Sequence, residues 1–149
     1  MRLKEIMSTK VEAVRPDETL ERAHALMRLR GIHHLVVVDH REVVGMLTEG
    51  LLAVREAEGV ARVADAMARH VTTGTPEMTV RQAANLMRRQ DEGSLPIFAG
   101  SRLVGIVTVS DLLDVLGRGV DRPAPKSRPT LKDRGIKPAS SRVHGRRAS

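Results

Sequence analysis

Two hydroxyl side chains and one carboxylate, Thr108, Ser110 and Asp111, lie close together in the sequence Thr108-Val109-Ser110-Asp111. An apolar stretch typical of a strand precedes them, and residues 112–116 have the spacing of a helix. A helix N-terminus carries free backbone N–H groups and attracts anions. The segment could therefore hold a phosphorylated, hydroxyl-rich ligand, with the hydroxyls facing phosphate and Asp111 accepting from a sugar diol.

The same residues also have a purely structural interpretation. Thr108 as N-cap and Asp111 three residues later resemble a capping box, which stabilises a helix by about 0.5–2 kcal/mol without any ligand. The segment alone leaves both interpretations open, so the elements that position it must be considered next.

Those elements belong to an internal repeat with a constant offset of sixty residues. A repeat of this kind determines how the whole fold is interpreted. The register continues without insertion from the first residues to the closing helix, in the pairs Met7 and Met67, Pro16 and Pro76, Thr19 and Thr79, Ala23 and Ala83, Gly45 and Gly105, Thr48 and Thr108, and Leu52 and Leu112.

Each copy has the pattern β-α-β-β-α, which predicts an α/β (α+β) fold of two pseudo-symmetric repeats, 1–59 and 60–118. We expect short strands at 11–14 and 71–73, and first helices from about Asp17 or Glu18 and from about Thr79. The closing helix of the second copy should run from Ser110 to about Leu116 and end at Gly117. One copy cannot bury its apolar faces alone, so both are needed for one core.

Composition narrows the class of protein. A chain of 149 residues, 41% of them hydrophobic, is large enough to form one domain with a hydrophobic core. The chain has no cysteine, which excludes disulfides and thiolate metal sites. Phe98 is the one aromatic residue, so base stacking on aromatic platforms is not expected. The histidines and carboxylates show no metal-ligand spacing, and no leader or membrane-spanning run is found, so we expect a cytoplasmic protein without a metal.

The net charge of +7 is concentrated at one end of the chain. Residues 118–149 contain ten Lys or Arg and two Asp, which leaves residues 1–117 at about −1. Residues 119–149 are rich in Pro, Ser, Arg and Lys, a composition that predicts a disordered basic tail. Such a tail is either an idle solvated segment or a handle for nucleic acid or an acidic partner.

The residues favour binding over catalysis. The chain has no cysteine nucleophile, no recognisable Ser, His and acid arrangement and no glycine-rich P-loop. Hydrolytic use of Asp111 would require a partner base that the sequence does not offer.

Residues 1–117 resemble a tandem cystathionine-β-synthase domain pair, also called a Bateman module. The resemblance rests on the repeat, on glycines 45 and 105 after the hairpins, and on the sequences Pro16-Asp17-Glu18-Thr19-Leu20, Pro76-Glu77-Met78-Thr79-Val80, Leu95-Pro96-Ile97 and Thr108-Val109-Ser110-Asp111. It implies a regulatory binder of an adenosine nucleotide or adenosyl ligand that requires no cofactor. It also implies a disc-shaped homodimer and a separate effector protein.

By this resemblance Asp111 binds ribose and Thr108 supplies the hydroxyl on the phosphate side. Ser110, the second hydroxyl of the segment, is a further candidate contact. The adenine contacts fall on backbone at Leu95, Pro96 and Ile97 and on the segment that contains Thr73 and Thr75. Strand and turn formation alone also explains those residues, and for the threonines it is the favoured interpretation. His33 matches a position from which relatives reach a phosphate across the cleft, although an exposed histidine at a helix–strand junction needs no ligand.

The first copy departs from the pattern. Leu51 stands sixty residues before Asp111, and Val36 replaces the proline at 96. Leucine cannot accept a hydrogen bond from a ribose diol, so we expect one nucleotide per chain, in the second copy.

Overall fold

Residues 1–118 form two halves of matching architecture, each a small β-sheet packed against helices. The structure is a computed structural model, and it describes these 118 residues of the chain. Its elements are a 3₁₀ helix at Leu3–Glu5, β1 (Ala13–Val14), α1 (Leu20–Arg30), β2 (His34–Asp39), β3 (Glu42–Thr48), α2 (Glu49–Ala57), α3 (Val63–Ala66), α4 (Val80–Gln90), β4 (Ser94–Ala99), β5 (Arg102–Thr108) and α5 (Val109–Arg118). The predicted fold class of two α/β repeats is confirmed.

The hairpins β2–β3 and β4–β5 pair their residues in the same register, sixty positions apart. β1 pairs parallel with β2, β2 pairs antiparallel with β3, and β4 pairs antiparallel with β5. The predicted strand at 71–73 is wrong, because there Gly74 alone forms a parallel bridge, with Ile97. The reason is Pro96: its counterpart Val36 donates its N–H to Glu12 at 3.1 Å, whereas proline has no N–H to donate.

Three boundaries, in two helices, also differ from the prediction. α1 begins at Leu20, later than expected, because the Thr19 hydroxyl accepts from the Arg22 N–H at 3.1 Å and so defines the first turn. α5 begins at Val109 and runs through Gly117 to Arg118. Gly117 therefore does not end its helix, in contrast to Gly31, which terminates α1 with a left-handed φ of 66°.

The halves exchange their N-terminal segments. Leu3 N donates to Met78 O at 2.8 Å, and the equivalent bond sixty residues on joins Val63 N to Glu18 O at 2.9 Å. Each segment then forms one antiparallel bridge to the edge strand of the opposite sheet. Ser8 pairs with Ile106 of β5, and Ala68 pairs with Met46 of β3.

This exchange determines the composition of the cores. The first core is built on α1, β2 and β3 but also contains side chains of residues 63–67, and the second contains Leu3 and Ile6. A third buried cluster joins the halves, with members Val11, Val36, Met46 and Ile106. Neither sequence repeat therefore encloses a core of its own.

The predicted basic tail at 119–149 lies outside the described residues. Within residues 1–118, no helix combines the length and the apolar character needed to cross a bilayer.

Candidate ligand site at the start of α5

Thr108 and Asp111 form a polar pair where β5 passes into α5. The Thr108 backbone N–H donates to Asp111 Oδ2 at 2.8 Å, and the Thr108 hydroxyl approaches the same oxygen at 3.3 Å. Asp111 is only 9% exposed. Hydrogen bonds to an ionised carboxylate are stronger than neutral ones, so the fold fixes the orientation of this carboxylate before any ligand arrives.

The opening of β4 lies beside this pair. Ser94 is opposite Thr108 in the antiparallel register, and the Val109 N–H donates to Gly93 O at 3.2 Å. The Ser94 hydroxyl also lies 3.7 Å from the sulfur of Met46 in β3. The start of α5, the start of β4 and the sheet of the other half thus meet at one place.

The segment that contains Thr73 and Thr75 runs along the other edge of β4. Gly74, between the two threonines, donates its N–H to Pro96 O at 2.9 Å and accepts from the Phe98 N–H at 2.9 Å. Both threonines are exposed.

Leu95, Pro96 and Ile97 are buried in β4. The side chains of Leu95 and Ile97 belong to the second hydrophobic core. These two side chains are therefore committed to the core, which leaves only the backbone for the adenine contacts that the resemblance implies.

Ser110 and His33 are both exposed. Ser110 lies in the first turn of α5. His33 lies in the other half, where its Nδ1 is 2.8 Å from Oε1 of Glu49.

The first half has no carboxylate at the matching position. The Thr48 hydroxyl accepts from the Leu51 N–H at 3.1 Å, and Leu51 packs against the first core. Thr48 therefore acts as an ordinary helix cap, whereas the Thr108 hydroxyl points to Asp111.

His34 is a residue whose position the sequence does not reveal. It opens β2 opposite Thr48, and its Nε2 lies 3.3 Å from the point that a Cβ on Gly93 would occupy. The histidine therefore fills the space left by this glycine of the other half. Burial lowers its pKa from 6.5 to about 4, the positive charge of His33 adds to the decrease, and Glu49 acts in the opposite direction.

Two buried carboxylates also escape sequence analysis, because acidic residues are normally exposed. Glu12 precedes β1 and lies 4.0 Å from the Arg30 guanidinium, and Glu92 lies between α4 and β4. Within residues 1–118, no group of histidine and carboxylate side chains is suited to hold a metal ion.

An open groove of about 470 Å³ runs along α4. Its lining includes Thr75, Gln82 and Arg89 but neither Thr108 nor Asp111. This groove therefore does not coincide with the start of α5, and the identification of the site depends on its polar geometry.

Comparison with known proteins gives a consistent result. The family model for the CBS domain matches residues 3–53 and again 63–118. A CBS domain-containing protein of Bacillus subtilis, YhcV, is 32% identical over 114 residues, which cover 74% of this chain and 81% of that protein. An inosine-5'-monophosphate dehydrogenase of Korarchaeum cryptofilum is 35% identical over 103 residues, which are 68% of this chain but only 21% of the enzyme.

Solved structures extend the match to three dimensions. The CBS domain pair of protein MJ0100, in complex with 5'-methylthioadenosine and S-adenosyl-L-methionine, superposes with a TM-score of 0.76 at 26% identity. The match covers 79% of this chain and 97% of that one. With both repeats matched in sequence and their paired arrangement matched in structure, this chain belongs to the CBS domain family.

Proposed function

We propose that this protein is a regulatory module that binds one adenosine ligand per chain at the start of α5. Asp111 accepts from the ribose hydroxyls, and the hydroxyls of Thr108 and Ser110 face a phosphate or other polar 5'-substituent. The backbone of Leu95, Pro96 and Ile97 and the segment with Thr73 and Thr75 border the adenine. His33 approaches the ligand from the other half.

The observation that carries the proposal is the Thr108–Asp111 pair. Asp111 is 9% exposed, and its carboxylate is already oriented by two contacts from Thr108. A preorganised acceptor costs little to order on binding, and charge-assisted bonds to hydroxyls contribute about 1.5–3 kcal/mol each.

A relative of known structure supports the ligand class. The CBS pair of MJ0100 holds 5'-methylthioadenosine and S-adenosyl-L-methionine, both of which contain an adenosine group. Leu51 replaces the acid in the first half, which limits this chain to one such ligand. The protein acts as a cytoplasmic homodimer that senses the ligand and modulates a separate effector protein, without turning the ligand over.

The first experiment exploits the absence of Trp and Tyr from the chain. Adenine absorbance is then readily seen over the protein, so equilibrium dialysis against AMP, ADP, ATP, S-adenosylmethionine and 5'-methylthioadenosine reports bound ligand directly. We expect one equivalent of one of them per chain, and about 10- to 100-fold weaker binding for Asp111→Asn.

The matched control is Asp114→Asn, one turn further along α5, where the carboxylate is partly exposed and bonds to Arg118 at 3.3 Å. This variant should bind like the wild type. Equal affinity of wild type and Asp111→Asn, or no binding of any adenosine ligand by protein stripped of nucleotide, would contradict the proposal.

A further inference from the structure

The helices α1 and α4 hold equivalent places in the two halves and pack on their cores through the same side chains. Ala23 and Met27 of α1 correspond to Ala83 and Met87 of α4, and all four residues are buried. The shared fold therefore makes the same demand on both helices. Differences between their solvent faces need another explanation.

The solvent face of α4 consists of arginine and amide side chains alone. The exposed residues of this helix are Arg81, Gln82, Asn85, Arg88, Arg89 and Gln90. Three of the matching positions in α1 hold an acid, a small residue and a large apolar residue, namely Glu21, Ala25 and Leu29. The repeat thus keeps its core residues while α4 replaces a mixed surface by a basic and hydrogen-bonding one.

The positive charges of α4 are not neutralised within the helix, which contains no acidic residue. Within residues 1–118, Arg81, Arg88 and Arg89 take part in no ion pair and no side-chain hydrogen bond. The acids nearest in sequence are Glu77, whose Oε2 lies 3.0 Å from Nζ of Lys4, and Asp91, which caps the end of the helix. Three unpaired cations on one helix favour an anionic partner.

The side chains on this face are those that contact nucleic acid. Arginine binds phosphate oxygens and guanine edges, and asparagine and glutamine pair with adenine edges. Arg81, Asn85 and Arg88 are spaced at i, i+4 and i+7, so they lie on one side of the helix. An anionic protein surface would explain the arginines but not the amides between and beside them.

The form of the nucleic acid follows from the shape of the helix and from the composition of the chain. The major groove of B-form DNA is about 12 Å wide and admits an α-helix, whereas the major groove of duplex RNA is too narrow for protein side chains to read. Single strands are usually held by stacking on aromatic side chains, and Phe98 is the one aromatic residue of this chain. Double-stranded DNA therefore fits the surface best.

The charge of the whole chain acts in the same direction. Residues 118–149 contribute ten Lys or Arg against two Asp. Such a surplus attracts a polyanion at long range, without selecting where on the protein it docks.

We propose that α4 is a docking surface for double-stranded DNA. Phosphates bind Arg81, Arg88 and Arg89, and Asn85 faces the base edges. The surface lies on α4 and not at the start of α5, so it does not depend on the proposed adenosine site.

Fluorescence anisotropy of a labelled DNA duplex of mixed sequence, titrated with the full-length protein, tests the proposal. The double variant Arg81→Gln/Arg88→Gln should bind at least about 10-fold more weakly at low salt, and its plot of log K against log salt between about 50 and 200 mM should be less steep by about 2. The matched control is Arg28→Gln/Arg102→Gln, which also removes two exposed arginines without a printed-chain acid as partner but lies outside α4. It should bind with the affinity and salt slope of the wild type.

Three results would overturn the proposal. The first is no binding of the duplex by the wild type, as when the protein binds anionic lipid vesicles instead. The second is equal weakening by the two double variants, which would assign the binding to overall charge. The third is equal or tighter binding of duplex RNA or of a single strand. Equilibrium dialysis of the same variants with adenosine ligands shows separately whether the proposed function stands.

Discussion

Single residues at the start of α5 serve both the fold and the proposed ligand. The carboxylate of Asp111 satisfies the Thr108 N–H, which the first turn of the helix would otherwise leave without an intrahelical partner. The same carboxylate is the proposed acceptor for ribose. The effect of a substitution on the stability of the fold can therefore be measured separately from its effect on the affinity for the ligand.

Asp111→Ala should lower the free energy of unfolding of the ligand-free protein by about 0.5–2 kcal/mol, since the backbone bond at 2.8 Å is lost. Ser110→Ala, at an exposed position one residue earlier, should leave that free energy unchanged. Urea denaturation measures both. Equal stability of Asp111→Ala and wild type would show that the pair does not hold the helix.

His34 predicts a pH dependence of stability. Because burial lowers its pKa from 6.5 to about 4, the unfolded chain binds this proton at a higher pH than the folded protein does. The contribution of His34 is fully present above pH 6.5 and is lost progressively as the pH falls towards 4, up to a total of about 3 kcal/mol.

Urea unfolding from pH 7 to pH 4 of the wild type and of His34→Gln would detect this contribution. The variant should lose less stability over the range, because its side chain does not titrate. Parallel profiles for the two proteins would contradict the assignment.

Two strand glycines, Gly45 and Gly105, lie where the exchanged N-terminal segments cross the sheets. A Cβ on Gly105 would lie 2.8 Å from the Ser8 carbonyl oxygen, and one on Gly45 would lie 2.7 Å from the Ala68 carbonyl oxygen. Backbone cannot move aside as a flexible side chain can, so these two glycines permit the crossing.

Gly105→Ala and Gly45→Ala should each destabilise the protein by about 1–3 kcal/mol, because a Cβ displaces the crossing segment. Gly117→Ala in α5 is the matched control: a Cβ there meets nothing within 4 Å. It should be neutral or stabilise by up to about 1 kcal/mol through helix propensity. Thermal unfolding of the three variants measures the contrast, and similar effects at all three sites would argue against the close crossing.

The sequence predicts the elements better than their arrangement. The offset of sixty, the threonine caps and the turn residues gave the helices and hairpins, because those signals are local. The sequence pattern wrongly predicted a strand at 71–73. The cause is Pro96, which has no N–H to donate to that segment and lies more than twenty residues away from it in the sequence. The exchange of segments and the burial of His34 against Gly93 depend on contacts between distant residues, which no local pattern records.

The whole molecule is held together by reciprocal insertion. Leu3 and Ile6 are fully buried in the second half, although they stand at the beginning of the chain. Residues 63–67 fill the first half in the same way. Loss of one insertion should therefore weaken the half that receives it, not the half next to it in sequence.

Leu3→Ala should cost about 2–5 kcal/mol, as for other fully buried leucines. Hydrogen exchange should increase first at the amides of β4 and β5, the sheet that receives Leu3. The opposite variant, Val63→Ala, should expose β2 and β3 first. Faster exchange in β2 and β3 of Leu3→Ala would contradict the reciprocal arrangement.

The reciprocal insertion also determines when the protein can fold during its synthesis on the ribosome. Leu3 and Ile6 are synthesised before the strands and the helix that enclose them, β4, β5 and α5. The first half becomes complete only after residues 63–67 have emerged, and the second half must then bind a segment that was synthesised before the first half. A ribosome that stalls between the repeats thus releases a chain with exposed apolar side chains, which makes it a substrate for chaperones and proteases.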